Sequence, residues 1–439
     1  MAKSTDKSRR NQIMYSVFVR NHSPEGSFAG VRRDLDRIKA LGTDIIWLMP
    51  IHPIGEKARK GDLGSPYAIR DYRAVNPEYG TLEDLKALVD DIHRRNMKCV
   101  IDVVYNHTSP DSRLAEQHPE WFWRKPDGSF GNRVGDWYDV IDLCYDRREL
   151  WDYQIETLRQ WAAIVDGFRC DVAPLVPLEF WLRAREAVEK VRPGCLWLAE
   201  SAEPPFISEG RASGLNVLSD SEIFQAFDVS YEYDIFQLFR DYLAGKIPLA
   251  RYAEAVNRQE YIYPANYVKL RYLENHDTPR AAFVIPGETA LINWTSFLYF
   301  QKGMTLLYAG QEICAAHRPS LFDRDPIRWE GGRDLSGLMR KLGEIKKHPI
   351  LTDSRYEVRA LPHEILYAAH SKGKEQLVGV FSLRGEDALV QVQVPDGRYV
   401  NLIDQTSVEV CEGKLPCKGR PIIVEAPRID GSSWFQTGQ

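Results

Sequence analysis

The sequence predicts an α/β protein: a closed (β/α)8 barrel with a short insertion after its third strand, followed by a C-terminal all-β sandwich domain. Two patterns carry this expectation. Over about the first 345 residues, short runs rich in Val, Ile and Leu alternate with longer segments of helical period, as parallel strands joined by crossover helices do. After Pro349 the texture changes to short alternating runs separated by Gly, Asp and Pro turns.

The eight barrel strands are expected at Met14–Val19, Asp44–Met49, Cys99–Val104, Gly167–Val172, Cys195–Ala199, Val217 or Phe227–Val229, Val268–Leu273 and Met304–Tyr308. Eight such units favour a closed TIM barrel over an open sheet. Between the first two, Val31, Leu35, Ile38 and Leu41 recur at helical spacing and Gly42 follows as a C-cap. Thr81, three residues before Asp84, opens a helix that buries Leu85, Leu88, Val89 and Ile92. Several strands are apolar on both faces, as expected where helices cover a sheet outside and side chains fill it inside. After the third strand comes a long stretch rich in Trp, Asp, Gly and Pro, a length that usually serves function. The barrel is therefore assigned to residues 1–106 and 147–349, the insertion to 107–146 and the β-sandwich to 350–439.

With 439 residues, 44% hydrophobic and 27% charged, the chain can bury a large core. A net charge of −5 and a pI near 6.1 argue against nucleic acid as the main partner. The longest apolar stretches, Ile45–Pro53 and Met304–Ala309, fall short of the roughly 20 residues that a membrane-spanning helix needs. Met1 to Arg10 is polar and basic and runs into a strand without an apolar signal core, so a cytoplasmic protein is expected. Of the seven cysteines only Cys411 and Cys417 lie close together, and reduced thiols suit that compartment. No Cys/His cluster suggests zinc.

Active sites of such barrels lie at the C-terminal ends of the strands, so polar residues there carry weight. Strand three ends DVVYNH, Asp102 to His107. Strand four reads GFRCDV, with Arg169 and Asp171 two apart and so on one face. Strand five ends at Glu200 and strand seven at His276 and Asp277.

These fragments together resemble the alpha-amylase family of retaining glycoside hydrolases, over essentially the whole chain. They are the Asp102/Asn106/His107 segment, the Gly-Phe-Arg-x-Asp segment of Arg169 and Asp171, Glu200 after an apolar strand, and the His276–Asp277 pair. The stretch GSPYAIRDY, residues 64 to 72, resembles the family's second βα region and implies that Tyr67 stacks on the sugar where cleavage occurs. Phe322 to Trp329 resembles its last substrate loop.

The chemistry suits those residue types. Retaining cleavage of a glycosidic bond needs a carboxylate nucleophile and a carboxylic acid about 5–5.5 Å apart. Asp171 is expected as nucleophile, its pKa held down by Arg169, and Glu200 as the acid, raised by the apolar run Leu196–Ala199. Asp277 is expected to bind sugar hydroxyls and help distort the ring, with His107 and His276 donating to the same sugar. Asp102 and Asn106 are supporting residues, Asp102 orienting Arg169. Trp121, Trp123, Trp137 and Tyr138 are candidates for sugar subsites or a small loop core, whereas Trp47, Trp151 and Trp161 read as packing.

Two departures from the family stand out. Where many amylases carry Lys-His after the nucleophile, this chain has Ala173-Pro174-Leu175-Val176. Asn106 matches a position that commonly binds calcium, but Asp136, Asp139 and Asp142 do not assemble an oxygen shell, so no metal ligands are assigned, the chemistry is expected to need no cofactor, and a structural calcium stays an open alternative. The expected partner is an α-glucan or maltooligosaccharide. A hydrolase acting on α-1,4-glucosidic bonds is the leading expectation and a glucanotransferase with the same intermediate is its rival. The C-terminal domain, modest in aromatics with Trp434 near its end, is expected to cover barrel surface rather than bind sugar.

Overall fold

The computed structural model describes residues 5–429 apart from Asp136, Pro286 and Gly331, so Trp434 lies outside the described residues. Eight parallel strands close a barrel: β1 (Ile13–Val17), β2 (Ile45–Leu48), β3 (Lys98–Val103), β4 (Gly167–Cys170), β5 (Leu196–Ala199), β6 (Val229–Tyr231), β7 (Lys269–Arg271) and β8 (Met304–Tyr308). Each pairs with its neighbours in sequence, and β8 closes on β1 in the register Ile13 to Thr305. Apart from Lys98, every barrel-strand residue is buried, which is why most of these runs lack the polar alternation of a half-exposed strand. The sixth strand differs from expectation: Val217 lies in a loop, and the strand begins only at Val229.

The first crossover helix is broken in two, Phe28–Arg33 and Leu35–Ala40. At the joint the Asp34 N–H bonds the Val31 carbonyl, a tightened 3-10 contact, while the Asp34 carboxylate takes His22 at 2.9 Å and Arg37 at 3.2 Å. The helix Leu82–Arg94 keeps its capping box, Thr81 and Asp84 satisfying each other's backbone N–H. The stretch after β3 carries structure of its own. It has a helix over Arg113–Gln117, and a two-residue ladder pairs His107–Thr108 with Ile141–Asp142.

Beyond the barrel, β9 (Arg355–Leu361), β10 (Ile365–Lys372) and β11 (Glu375–Ser382) form an antiparallel sheet. Next come β12 (Asp387–Gln391), β13 (Gly397–Val400), β14 (Ser407–Val410) and β15 (Lys414–Lys418), and then β16 (Ile422–Pro427), which completes the sheet beside β11. Strand β15 does not stand out in the sequence, because Pro416 and the two lysines, Lys414 and Lys418, mask its pattern; it is a short partner of β12. One face of the four-stranded sheet, with Leu366, Ala368, Leu377 and Phe381, joins the barrel core, and the other face packs Tyr367, Val378 and Val380 against Val390 and Leu415. Helix Glu288–Phe300 is apolar nearly all round because it is covered on both sides, by the barrel and by Phe381, whose ring lies 5.4 Å from that of Phe297. All seven cysteines are free. No helix among the described residues is long and apolar enough to cross a membrane.

Candidate active site

Period-two geometry brings Arg169 and Asp171 to one face of the end of β4, and the parallel register sets Cys170 beside Ala199, so Glu200 emerges alongside. Arg169 is wholly buried and organises the site. Its Nη1 donates to Asp171 Oδ1 at 2.7 Å and to Asp102 Oδ1 at 2.9 Å, and its Nη2 lies 2.8 Å from Glu200 Oε1. The guanidinium sits among the rings of Trp47, Tyr67 and Tyr231, with 5.2 to 5.6 Å to each centroid. Trp47 is core, as expected, and at the same time the floor beneath the charges.

Three carboxyls facing one guanidinium cannot all ionise easily. Burial pushes the Glu200 carboxyl up to about 7, against the opposing pull of Arg169. Asp171 corrects an expectation: burial outweighs the Arg169 contact, so its carboxyl is raised rather than held down. Asp102 is raised as well, again by burial. Glu200 is also pinned at its other oxygen by the backbone N–H of Val172 at 2.8 Å, and Tyr233 OH lies 3.4 Å from Oε1. Val172 adopts φ 36° and ψ 43°, a left-handed conformation that costs an ordinary L-residue about 1–2 kcal/mol. That strain aims the N–H at Glu200.

Tyr67 and His276 stack with centroids 5.4 Å apart, and Tyr67 OH lies 2.7 Å from His276 Nε2 and donates to Asp102 at 3.2 Å. His276 Nε2 is also 3.1 Å from Asp277 Oδ2, whose side chain remains 45% exposed and open to a ligand. His107 Nε2 is 4.0 Å from Asp171 Oδ2. Burial lowers the pKa of both histidines, which favours the neutral ring. Asn106 stands behind the site, its amide 3.1 Å from His107 Nδ1. Tyr67, His107, Asp171, Glu200, His276 and Asp277 line one cavity of about 260 Å³, together with Lys60, Ser65, Trp137, Asp139, Val140, Val172, Leu321 and Phe322.

Of the loop aromatics, Trp137 reaches this cavity and Tyr138 is 64% exposed beside it. Trp121 is loop core, stacked on His118 at 3.8 Å, and Trp123 lines a second cavity with Asn106. Trp329 points away: its Nε1 donates to the His22 carbonyl, so only Phe322 and Leu321 of that loop face the site. Trp151 and Trp161 are packed, as expected. Sequence reasoning missed Lys60, Tyr233 and the strained Val172. The Tyr231–Tyr233 pair after β6 was a usable signal for the second of these, being aromatic at a strand end.

The oxygen donors around Asn106 do not suit calcium. Lys60 Nζ holds Asp139 at 2.8 Å, and Asp142 accepts from the backbone N–H and Nε of Arg133 at 2.8 and 3.1 Å. A calcium ion needs six to eight oxygens, several of them anionic, and these acids already carry cations. Asp136 lies outside the described residues. Among the described residues, no group of three or more His, Cys, Asp or Glu is placed to hold a metal.

Residues 3–141 match the alpha amylase catalytic domain and residues 357–424 the bacterial alpha amylase C-terminal domain. An alpha-amylase from Lactobacillus plantarum is 49% identical, with 96% of this chain and 100% of that chain covered and a TM-score of 0.94. A noncanonic maltogenic alpha-amylase from Thermotoga neapolitana is 32% identical, with 96% and 99% covered and a TM-score of 0.85. The alpha-1,4-glucan:maltose-1-phosphate maltosyltransferase of Rhodospirillum rubrum is 31% identical over 287 residues, 60% of this chain and 38% of that one. Against curated relatives such as these the chain spans from 32% to 68% of their length. With 49% identity to an alpha-amylase whose whole length is covered, and with the catalytic and C-terminal domains both matched, the chain belongs to the alpha-amylase family.

Proposed function

We propose that this chain is a retaining glycoside hydrolase that cleaves α-1,4-glucosidic bonds of maltooligosaccharides or starch fragments. The observation that carries the reading is the single guanidinium of Arg169 shared by Asp171 and Glu200 at the floor of a cavity faced by Tyr67. Two carboxyls gripped by one planar group suit the short separation of double displacement.

In the first step Asp171 attacks the anomeric carbon while Glu200 gives its proton to the departing sugar oxygen, leaving a glycosyl ester on Asp171. In the second, a water adds to the same carbon, Glu200 takes the water's proton, and the ester bond to Asp171 breaks. Glu200 suits the acid role because it is raised to about 7 and so holds a proton near neutrality. Asp277 and His276 suit hydroxyls of the sugar stacked on Tyr67, with His107 on its other flank. Asp102 is a positioning residue that fixes Arg169, and Asn106 fixes His107. No metal takes part in this reading, and the C-terminal sheets brace the barrel over residues 1–106 and 147–349. Seven free thiols suit a reducing cytoplasm.

Transfer to a second sugar uses the same ester, and the maltosyltransferases among the relatives favour keeping that as a second reading. The ratio of maltose and glucose to longer products from maltotetraose separates the two. The stereochemistry tests both. Proton NMR during the first minutes of maltotriose cleavage should show the α-anomer first, and an early excess of the β-anomer would overturn the assignment of Asp171.

A further inference from the structure

Side chains from three different loops meet at the rim of the cavity. Lys60, in the loop after β2, reaches across to Asp139 in the stretch after β3, Nζ to Oδ1 2.8 Å, with Asp139 only 5% exposed and Lys60 22%. The same ammonium lies 4.8 Å from the Tyr138 ring centroid and 5.9 Å from that of Phe322, in the loop after β8. The crossing is held by backbone as well. Leu63 N–H donates to the Phe322 carbonyl at 2.9 Å and Asp62 N–H to Asp323 Oδ1 at 2.9 Å. Gly61, at φ +63°, lies so close to Phe322 and Asp323 that an added Cβ would sit 2.6–2.7 Å from them. A partly buried ion pair whose lysine loop is tied to the loop after β8 is held more firmly than a mobile surface pair.

The position of that wall in the barrel decides what it does. Glu200, which protonates the departing oxygen, stands at the end of β5 with its partners Val172 and Tyr233 on the neighbouring β4 and β6 sides. The bridge stands over β8, β2 and β3, the other half of the ring. The leaving sugar therefore exits on the β4–β6 side. The chain on the far side of the attacked sugar, its non-reducing end, runs into Lys60 and Asp139. At about 260 Å³ the cavity is smaller than the about 300–1,000 Å³ of pockets that enclose drug-sized ligands. Lys60 and Asp139 are among the residues that line it.

We propose that the Lys60–Asp139 bridge determines specificity by closing the cleft at the non-reducing side, so that the enzyme removes short units from free non-reducing ends of α-glucans. This rests on the glycosidase reading above. The test compares 4-nitrophenyl maltoheptaoside with the same compound capped at its non-reducing end by an ethylidene group, the shortened nitrophenyl saccharides from each being separated and quantified by chromatography with no coupling enzyme present. Wild type should cleave the capped compound at least about a hundredfold more slowly in kcat/KM, the size of discrimination that a steric pocket can supply. Lys60→Ala should narrow that ratio by about tenfold or more, chiefly through KM for the capped compound. Lys60→Met, which keeps the apolar stem, should narrow it less and covers the case in which the alanine variant does not fold. Equal rates on both compounds in wild type would overturn the bridge while leaving the glycosidase reading intact. A ratio unchanged in the folded variant would also overturn it. Failure to cleave the uncapped compound would overturn the glycosidase reading, and the bridge with it.

Discussion

Glu200→Gln is the most informative single change, because the structure sets both its catalytic and its stability consequence. Burial lifts this carboxyl from the ordinary carboxylate range to about 7, so its anion is disfavoured in the folded protein by about 3 kcal/mol. The alkaline limb of kcat/KM should therefore fall near neutrality in the wild type. Glutamine keeps the shape and can still accept the Val172 N–H, but it has no proton to give. General acid catalysis contributes about 10²–10⁴-fold, so turnover of maltotriose should fall by that order. An α-maltosyl fluoride, whose leaving group needs little protonation, should lose less than about tenfold in its first step, and its alkaline limb should vanish. Stopped assays over the pH range on both donors decide the matter. If the two donors fall by the same factor, or if the limb survives in the variant, Glu200 does not supply the proton.

The stability effect has a definite sign. A carboxyl whose folded pKa is raised binds protons more tightly in the native state, so stability is lost as pH rises from the unfolded value near 4.5 through about 7. Glutamine removes that loss. At about 2.1 cal/mol/K per residue over 439 residues, about 3 kcal/mol shifts the midpoint by about 3 °C. Calorimetry should find Glu200→Gln about that much more stable than wild type at about pH 8, with the gap closing at about pH 5. A variant less stable at the higher pH would show that the anion is not under strain.

Asp171→Ala should lower turnover of maltotriose by at least about 10⁴-fold, as loss of a nucleophile does, with the thermal midpoint held. Asp102 and Glu200 still pair Arg169 in that variant, and one crowded carboxylate is gone. A variant that keeps a tenth of wild-type activity would sink the nucleophile assignment. Dialysis against EDTA should leave activity and melting unchanged, because Lys60 and Arg133 already neutralise Asp139 and Asp142. Arg133→Ala should instead cost about 1–3 kcal/mol by leaving the buried Asp142 without its cationic neighbour in this contact, the backbone N–H of residue 133 being kept. A midpoint that drops on chelation and returns with calcium would refute this.

What was legible in the sequence follows from what each kind of signal can carry. Strand-end residues could be placed because a parallel barrel has a fixed hand and a period of two. Arg169 and Asp171 therefore share a face, and Asp102, Glu200, His276 and Asp277 fall at or just past the C-terminal ends of the same barrel; together they line or support one cavity. The broken helix at Asp34 and strand β15 escaped because a tertiary partner overrode local preference, His22 in the first case and the register with Ala388 and Leu389 in the second. The direction of the Asp171 shift escaped for a different reason. Spacing revealed the arginine, but the opposing effect is burial, and that depends on strands and loops far apart in the chain converging on the site. Lys60 left no mark at all. It lies in a Lys- and Gly-rich loop that reads as solvated, and its partner Asp139 is far away in the chain. A contact between two loops has no periodicity, so a residue that closes a cleft looks in sequence like one that merely faces water. Residues on strands announce themselves through the pleat, whereas residues that shape the mouth of a barrel are set by loop geometry, which is where members of one family acquire different substrates.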